Sequence, residues 1–274
     1  MISRRSLFAV LAASVVAALA LSAVCCAQDA KPWEQPGATT GQEIIGPDGG
    51  KMVWVPAGEF TMGSAEGEGE SGEHPAHRVR ITKGFWLGKC TVTLGQWKSY
   101  CQAAGVDVGE AQAPADNHPV VCVNWTEAVA YCRRYGLSLP TEAQWEYAAR
   151  GPRNCTWPWG NTWDLKKCCN AENQGPGGKT FPVGSFPEGA SWCGALDMAG
   201  NVFQWCKDWY SGGYDANAPD ADPPGPAEGA THEVVVRGGA WFDFIPTNFR
   251  CAARASAVPS GRYNGLGFRC VRSF

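Results

Sequence analysis

The residues of this 274-residue chain best able to do chemistry are thirteen cysteines, four histidines and a handful of clustered acids. Thiols suit soft metals or disulfides, imidazoles suit transition metals, and carboxylates suit hard cations or proton transfer. No pair of cysteines has the C-x-x-C spacing of a zinc site, so scaffold disulfides are the default reading. His74 and His77 are three residues apart, a spacing that could pair on a metal, but the segment leads into a strand-like run and a structural role is favoured. Glu66, Glu68, Glu70 and Glu73 lie in a Gly-rich loop and read as a solvated face. So many cysteines point to an oxidising compartment. The N-terminus agrees. Arg4 and Arg5 precede an apolar run from Leu7 to Val24, and small residues allow cleavage after Ala27. Residues 1–27 therefore read as a signal peptide, with a twin-arginine signal or a retained anchor as alternatives. Cleavage leaves eleven cysteines, an odd count that leaves a thiol free or paired with another chain. The expected location is periplasmic or extracellular, with no transmembrane segment once the signal is removed.

Composition narrows the rest. Charged residues are 18% and the formal net charge is -3, which excludes a disordered chain and a broadly basic nucleic-acid binder. With 34 Gly, 19 Pro and 13 Trp, many turns and long irregular connections are expected. Residues 28–43 read as a linker and 44–274 as one domain. Three helices announce themselves by capping boxes, in which the Ncap and N3 side chains satisfy each other's orphan amides. The pairs are Thr93 with Gln96, Asn124 with Glu127, and Thr141 with Gln144. Gly136 and Gly151 stop the second and third helices. Residues 51–55 and 59–62, around a Pro-Ala-Gly turn, read as a hairpin. Residues 78–81, 234–237 and 268–271 read as strands. Most of 157–229 has no sustained period, so it needs ties from ions, disulfides or buried polar groups. Trp157, Trp159, Trp163, Trp192, Trp205, Trp209 and Trp241 crowd this half. Each reads as core before it reads as a sugar- or peptide-stacking surface.

Eight ordered strings carry a resemblance: 52–64 (MVWVPAGEFTMGS), 92–97 (VTLGQW), 119–128 (PVVCVNWTEA), 139–151 (LPTEAQWEYAARG), 158–161 (PWGN), 196–202 (LDMAGNV), 237–241 (RGGAW) and 267–269 (GFR). Together they resemble the sulfatase-modifying factor, or formylglycine-generating enzyme, family across nearly the whole domain. The resemblance implies an irregular α+β fold, related to C-type lectins, with little regular secondary structure. It also implies an oxidoreductase that converts a sulfatase cysteine to formylglycine with copper and dioxygen. That chemistry uses a pair of thiolates, which a soft Cu(I) ion prefers. Here the stretch expected to supply them, 237–254 (RGGAWFDFIPTNFRCAAR), has no cysteine between Trp241 and Arg250. Asp243 stands where the first thiol is expected, and Thr247 or Asn248 near the second. Ala240 replaces the family's serine and Phe203 its active-site tryptophan. A second branch of the family uses a three-histidine iron site from a helical domain, which this chain lacks.

The resemblance implies calcium at Asp197, the Gly200 and Val202 carbonyls and Gln204, with a second site at Asn170 and Ala171. Gln204 stands where the family has a glutamate. The alternative is that Asp197 and Asn201 only satisfy turn amides. The resemblance also implies a disulfide between Cys132 and Cys270. Cys251 matches a family cysteine whose partner would stand at Ala149. The expectation is an exported, non-catalytic ligand-binding or accessory member, without copper. Phe242, Asp243, Phe244 and Asn248 would meet a protein or carbohydrate ligand, a sulfatase among the candidates. The scaffold also resembles ligand-displaying proteins diversified by retroelements. The alternatives are an oxidase using other residues, or a structural part of a cell-surface assembly.

Overall fold

The computed structural model describes residues 31–175, 177–213, 218–226 and 231–274. The expected signal peptide lies outside the described residues. Residues up to Gln35 form one unit, of which a short 3-10 turn at Pro32–Glu34 is described. Pro36–Phe274 form the second, and the fold below is that of this unit.

All three capping boxes form. Helix α1 (Leu94–Ala104) starts on Thr93, α2 (Trp125–Arg134) on Asn124 and α3 (Glu142–Arg150) on Thr141, each side chain accepting from the N3 amide. Gly151 closes α3 at φ 67°, a backbone angle that glycine adopts without the Cβ penalty.

Among the described residues, ten short strands make three sheets. Strands β1 (Glu43–Ile45), β2 (Lys51–Val55), β5 (Phe85–Gly88) and β10 (Val271–Ser273) pair antiparallel in the order β1-β2-β5-β10. Strands β3 (Gly58–Met62) and β4 (His77–Ile81) form a separate antiparallel pair, with Gly58 opposite Ile81 and Met62 opposite His77. Strands β6 (Phe203–Trp209), β7 (Val234–Arg237), β8 (Arg254–Ala257) and β9 (Leu266–Phe268) form the third sheet, ordered β8-β7-β6-β9. The β6–β9 pair is parallel.

Two strand expectations need correction. Residues 51–55 and 59–62 are not a hairpin. β2 already has β1 and β5 on its two edges, so β3 finds its partner in β4. The expected strand 268–271 is two strands in different sheets. Between them Arg269 is fully buried and sends its guanidinium to the carbonyls of Gly88, Lys89, Leu196 and Asp197. That hub carries the chain from the third sheet to the first.

Alternation along β2 explains the layering. Met52 and Trp54 join Trp97, Tyr100 and Tyr131 of α1 and α2 in one apolar cluster. Val53 and Val55 join Ala143, Trp145 and Ala148 of α3 in another. Side chains in a strand alternate faces, so both faces of this sheet are covered. The third sheet divides the same way, with Trp205, Val234 and Val236 in the first cluster and Cys206 and Val235 in the second. Of the seven tryptophans in the irregular half, Trp205 is fully buried and the others are half-buried.

Candidate functional site

The 238–251 loop leaves the end of β7 and returns at the start of β8. A buried ion network closes its base. Arg237 and Glu146 both have fully buried side chains and pair directly. The Arg237 guanidinium also donates to the carbonyls of Cys251 (3.0 Å), Ala252 (3.0 Å) and Ala253 (2.8 Å). The residue before the loop thus holds the loop's last residue and the two that follow it. Arg237 further lies 3.4 Å from Glu142, which Arg254 grips with two hydrogen bonds of 2.6 and 2.9 Å. Glu146 receives Gly63 N–H at 2.9 Å and Arg150 at 2.8 Å. Buried charges persist only when paired and hydrogen-bonded, and these are.

Arg250 makes a second clamp. It donates to both carboxylate oxygens of Glu73, at 2.7 and 2.8 Å. Glu73 is 1% exposed, so the reading of Glu66, Glu68, Glu70 and Glu73 as one solvated face fails at its last member. The three others are exposed. Burial opposes ionisation of Glu73, but hydrogen bonds from Arg250 and Ser64 outweigh it and hold the carboxyl below its usual range.

Inside the loop, Asp243 is a strut. Its Oδ2 accepts from the Ala240 amide at 2.8 Å and its Oδ1 from the Asn248 side-chain amide at 3.3 Å. Its carbonyl accepts from Ala171 N–H at 2.8 Å. Ala240 is fully buried, whereas Phe242, Phe244 and Ile245 are 43%, 69% and 44% exposed. Two cavities lie beside the loop. One, of about 160 Å³, is lined by Phe203, Thr247, Asn248, Arg250 and Glu70 among others. The other, of about 310 Å³, takes in Phe203, Phe242, Tyr263, Asn264 and the edge strand β8. Phe203 and Ala255 line both. The structure therefore gathers Phe203, Phe242, Thr247 and Asn248 around one surface, with Asp243 turned inward beneath it.

The donor set here does not fit copper bound by thiolates. Asp243, Thr247 and Asn248 offer hard oxygen and nitrogen. The described cysteines are all thiols in this structure. Cys251, next in sequence, is 1% exposed, and burial pushes its thiol up. Burial likewise pushes Cys168 to about 12, Cys169 to about 11 and Cys90 to about 12.

Most of the oxygens expected to hold calcium accept hydrogen bonds within the protein. Gln204 is fully buried; its Oε1 accepts from Trp145 (2.8 Å) and Arg269 (2.7 Å), and its Nε2 donates to the Asp197 carbonyl (2.7 Å). That carbonyl also receives Arg269 at 3.0 Å, so a guanidinium already supplies the local positive charge. Asp197 Oδ2 accepts from Gly184 N–H at 2.7 Å, and Gly200 O accepts from Val202 N–H at 2.9 Å. Asn201 exchanges two hydrogen bonds with the Phe181 backbone. Asn170 binds the Leu165 and Cys168 carbonyls and the Glu172 amide, while the Ala171 carbonyl takes Gln174. As arranged, Asp197, Asn201 and Asn170 satisfy turn amides. Among the described residues no group of three His, Cys, Asp or Glu side chains is placed to hold a metal. The Cys132 and Cys270 sulfurs lie 3.3 Å apart as thiols, both buried.

Comparison with known proteins places this geometry. The model of the sulfatase-modifying factor enzyme 1-like domain matches residues 42–274, the whole of the folded unit bar its first residues. The chain belongs to the sulfatase-modifying factor family. A formylglycine-generating enzyme of Streptomyces coelicolor is 34% identical over 93% of this chain and 96% of its own length. The mouse formylglycine-generating enzyme is 30% identical over 86% of this chain and 78% of its own. Among solved structures, PvdO from Pseudomonas aeruginosa superposes with a TM-score of 0.75 at 28% identity, covering 87% of this chain and all of that one. Treponema denticola variable protein 1 gives 0.66 at 25% identity, covering 81% of this chain and 94% of that one. The irregular α+β fold expected from the sequence is thus the family's fold.

Sequence reasoning missed the Arg237–Glu146–Glu142–Arg254 network and the Arg250–Glu73 clamp. One signal was available: Glu142 and Glu146 sit four apart on α3, beside the apolar Ala143, Trp145 and Ala149, where a solvated helix face would not place them.

Proposed function

We propose that this family member is an exported, non-catalytic protein that binds a protein or carbohydrate ligand on the face formed by Phe242, Phe244, Asn248 and Phe203. The observation that carries the reading is Asp243. It occupies the place of the first family thiol and spends both carboxylate oxygens on the loop's own amides. A group so engaged shapes the loop that carries the surface. Three large apolar side chains left open on the loop, Phe242 among them on the wall of one cavity, support a binding role, because such patches on a single chain mark interaction sites. Disulfide-forming compartments suit a chain so rich in cysteine. Among the described residues no helix is long and apolar enough to cross a membrane.

The names of the relatives favour a second reading, an oxidase that acts on a protein cysteine. Copper chemistry of the family's kind would then need thiolates from elsewhere in the chain. A Cu(I) titration against a competing chelator separates the two. The binding reading expects the folded protein to leave the copper with the chelator. One tightly held Cu(I) per chain, lost on substituting two cysteines, would favour the oxidase.

A further inference from the structure

The 155–163 segment and the 246–251 segment pack against each other along their length. Cys251 N–H donates to the Thr156 carbonyl at 2.8 Å. The Trp157 indole N–H donates to the Pro246 carbonyl at 3.2 Å. Trp163 stacks on Phe249 with ring centroids 5.4 Å apart. At the inner end of this seam each segment carries a buried cysteine. Cys155 immediately precedes Thr156, and Cys251 is the residue bonded to Thr156. They are 7% and 1% exposed.

We propose that Cys155 and Cys251 join as a disulfide under oxidising conditions and staple the 238–251 loop to the tryptophan-bearing segment. The hydrogen bond holds the Cys251 backbone beside Thr156, and Cys155 is the next residue along that strand of the seam, so closing the bond takes only a local shift of the two segments to the Cα separation of about 4.4–6.8 Å that a disulfide spans. The oxidant is a disulfide, small-molecule or protein-borne. It reacts first at Cys155, the more accessible sulfur, forming a mixed disulfide and releasing one thiol. Cys251 then attacks the Cys155 sulfur and releases the second thiol. The protein loses two protons and two electrons, and the oxidant becomes two thiols. This pairing stands whether or not the loop binds a ligand.

The test uses the full chain, reduced and then incubated with oxidised glutathione. Remaining thiols are alkylated, and the protein is digested without reductant and mapped by mass spectrometry. The expected result is a crosslinked peptide pair holding Cys155 and Cys251, lighter by two hydrogens than the sum of its parts. Hydrogen exchange in 238–251 should then be slower in oxidised than in reduced protein. In Cys155→Ser/Cys251→Ser that difference should vanish. If both cysteines are recovered alkylated, or joined to other partners, in a sample where Cys132 and Cys270 have crosslinked, the proposal is wrong. Mapping the native chain decides the matter even if the double variant fails to fold.

Discussion

Replacing Glu146 by Gln is the sharpest probe of what holds the loop in place. Gln keeps the shape of the side chain and one acceptor for Gly63 N–H or Arg150. It removes the charge that Arg237 faces at a site where both side chains are fully buried. Glu142 stays 3.4 Å away but is already gripped by Arg254. Removing one partner of a buried pair costs about 3–5 kcal/mol, because the survivor is stranded. With Glu142 sharing the load, E146Q should cost about 3 kcal/mol, a large part of the roughly 5–15 kcal/mol that stabilises a domain. Urea unfolding followed by tryptophan fluorescence reads this directly, since Arg237 stacks over Trp145 at 5.3 Å. The exposed Glu59–Arg78 pair, at 41% and 76% side-chain exposure, is the internal control, and E59Q should cost less than about 1 kcal/mol. A loss below about 1 kcal/mol for E146Q would refute the claim that this network sets the loop's base.

Two further predictions concern protons and metal. Asp208 is nearly fully buried, and burial pushes its carboxyl from 3.8 to about 7, the Glu142 amide pulling the other way. The folded state therefore holds this proton more tightly than the unfolded chain. Stability should fall as pH rises from about 4 to about 7, by at most roughly 4 kcal/mol from this group. D208N, which keeps an oxygen for the Glu142 amide, should flatten that slope in denaturation curves taken across the window; an unchanged slope would count against the assignment. Calcium should leave the melting temperature where a chelator leaves it. A cation held at Asp197 in hundredfold excess over its Kd would add about 2.7 kcal/mol, or about 5–10 °C, and a rise of that size would restore the calcium site.

What could be read from the sequence divides by range. The three helix starts were legible because a capping box is settled within four residues, as Thr93 and Gln96 show. The β2–β3 hairpin was misread because pairing depends on which neighbours a strand meets, and β5 lies thirty residues on from β2. Glu73 looked solvated because its partner, Arg250, stands 177 positions away. Arg269 looked like the middle of a strand, and only its five-way hub explains the break. At the site, the absence of thiols between Trp241 and Arg250 was plain in the sequence. That Asp243 turns inward, while Phe244 and Ile245 turn outward, was not, since both depend on how the loop folds back on Ala240 and Asn248.

The most direct measurement of the central claim is a product assay. The folded protein is incubated with a Cys-x-Pro-x-Arg peptide, copper and dioxygen, and the peptide is weighed by mass spectrometry. On the proposed reading, in which Asp243 and its hydrogen-bonded neighbours stand in place of the family's thiols, the peptide should return with its cysteine intact. Conversion of that cysteine to an aldehyde, at a rate that scales with protein, would contradict the account.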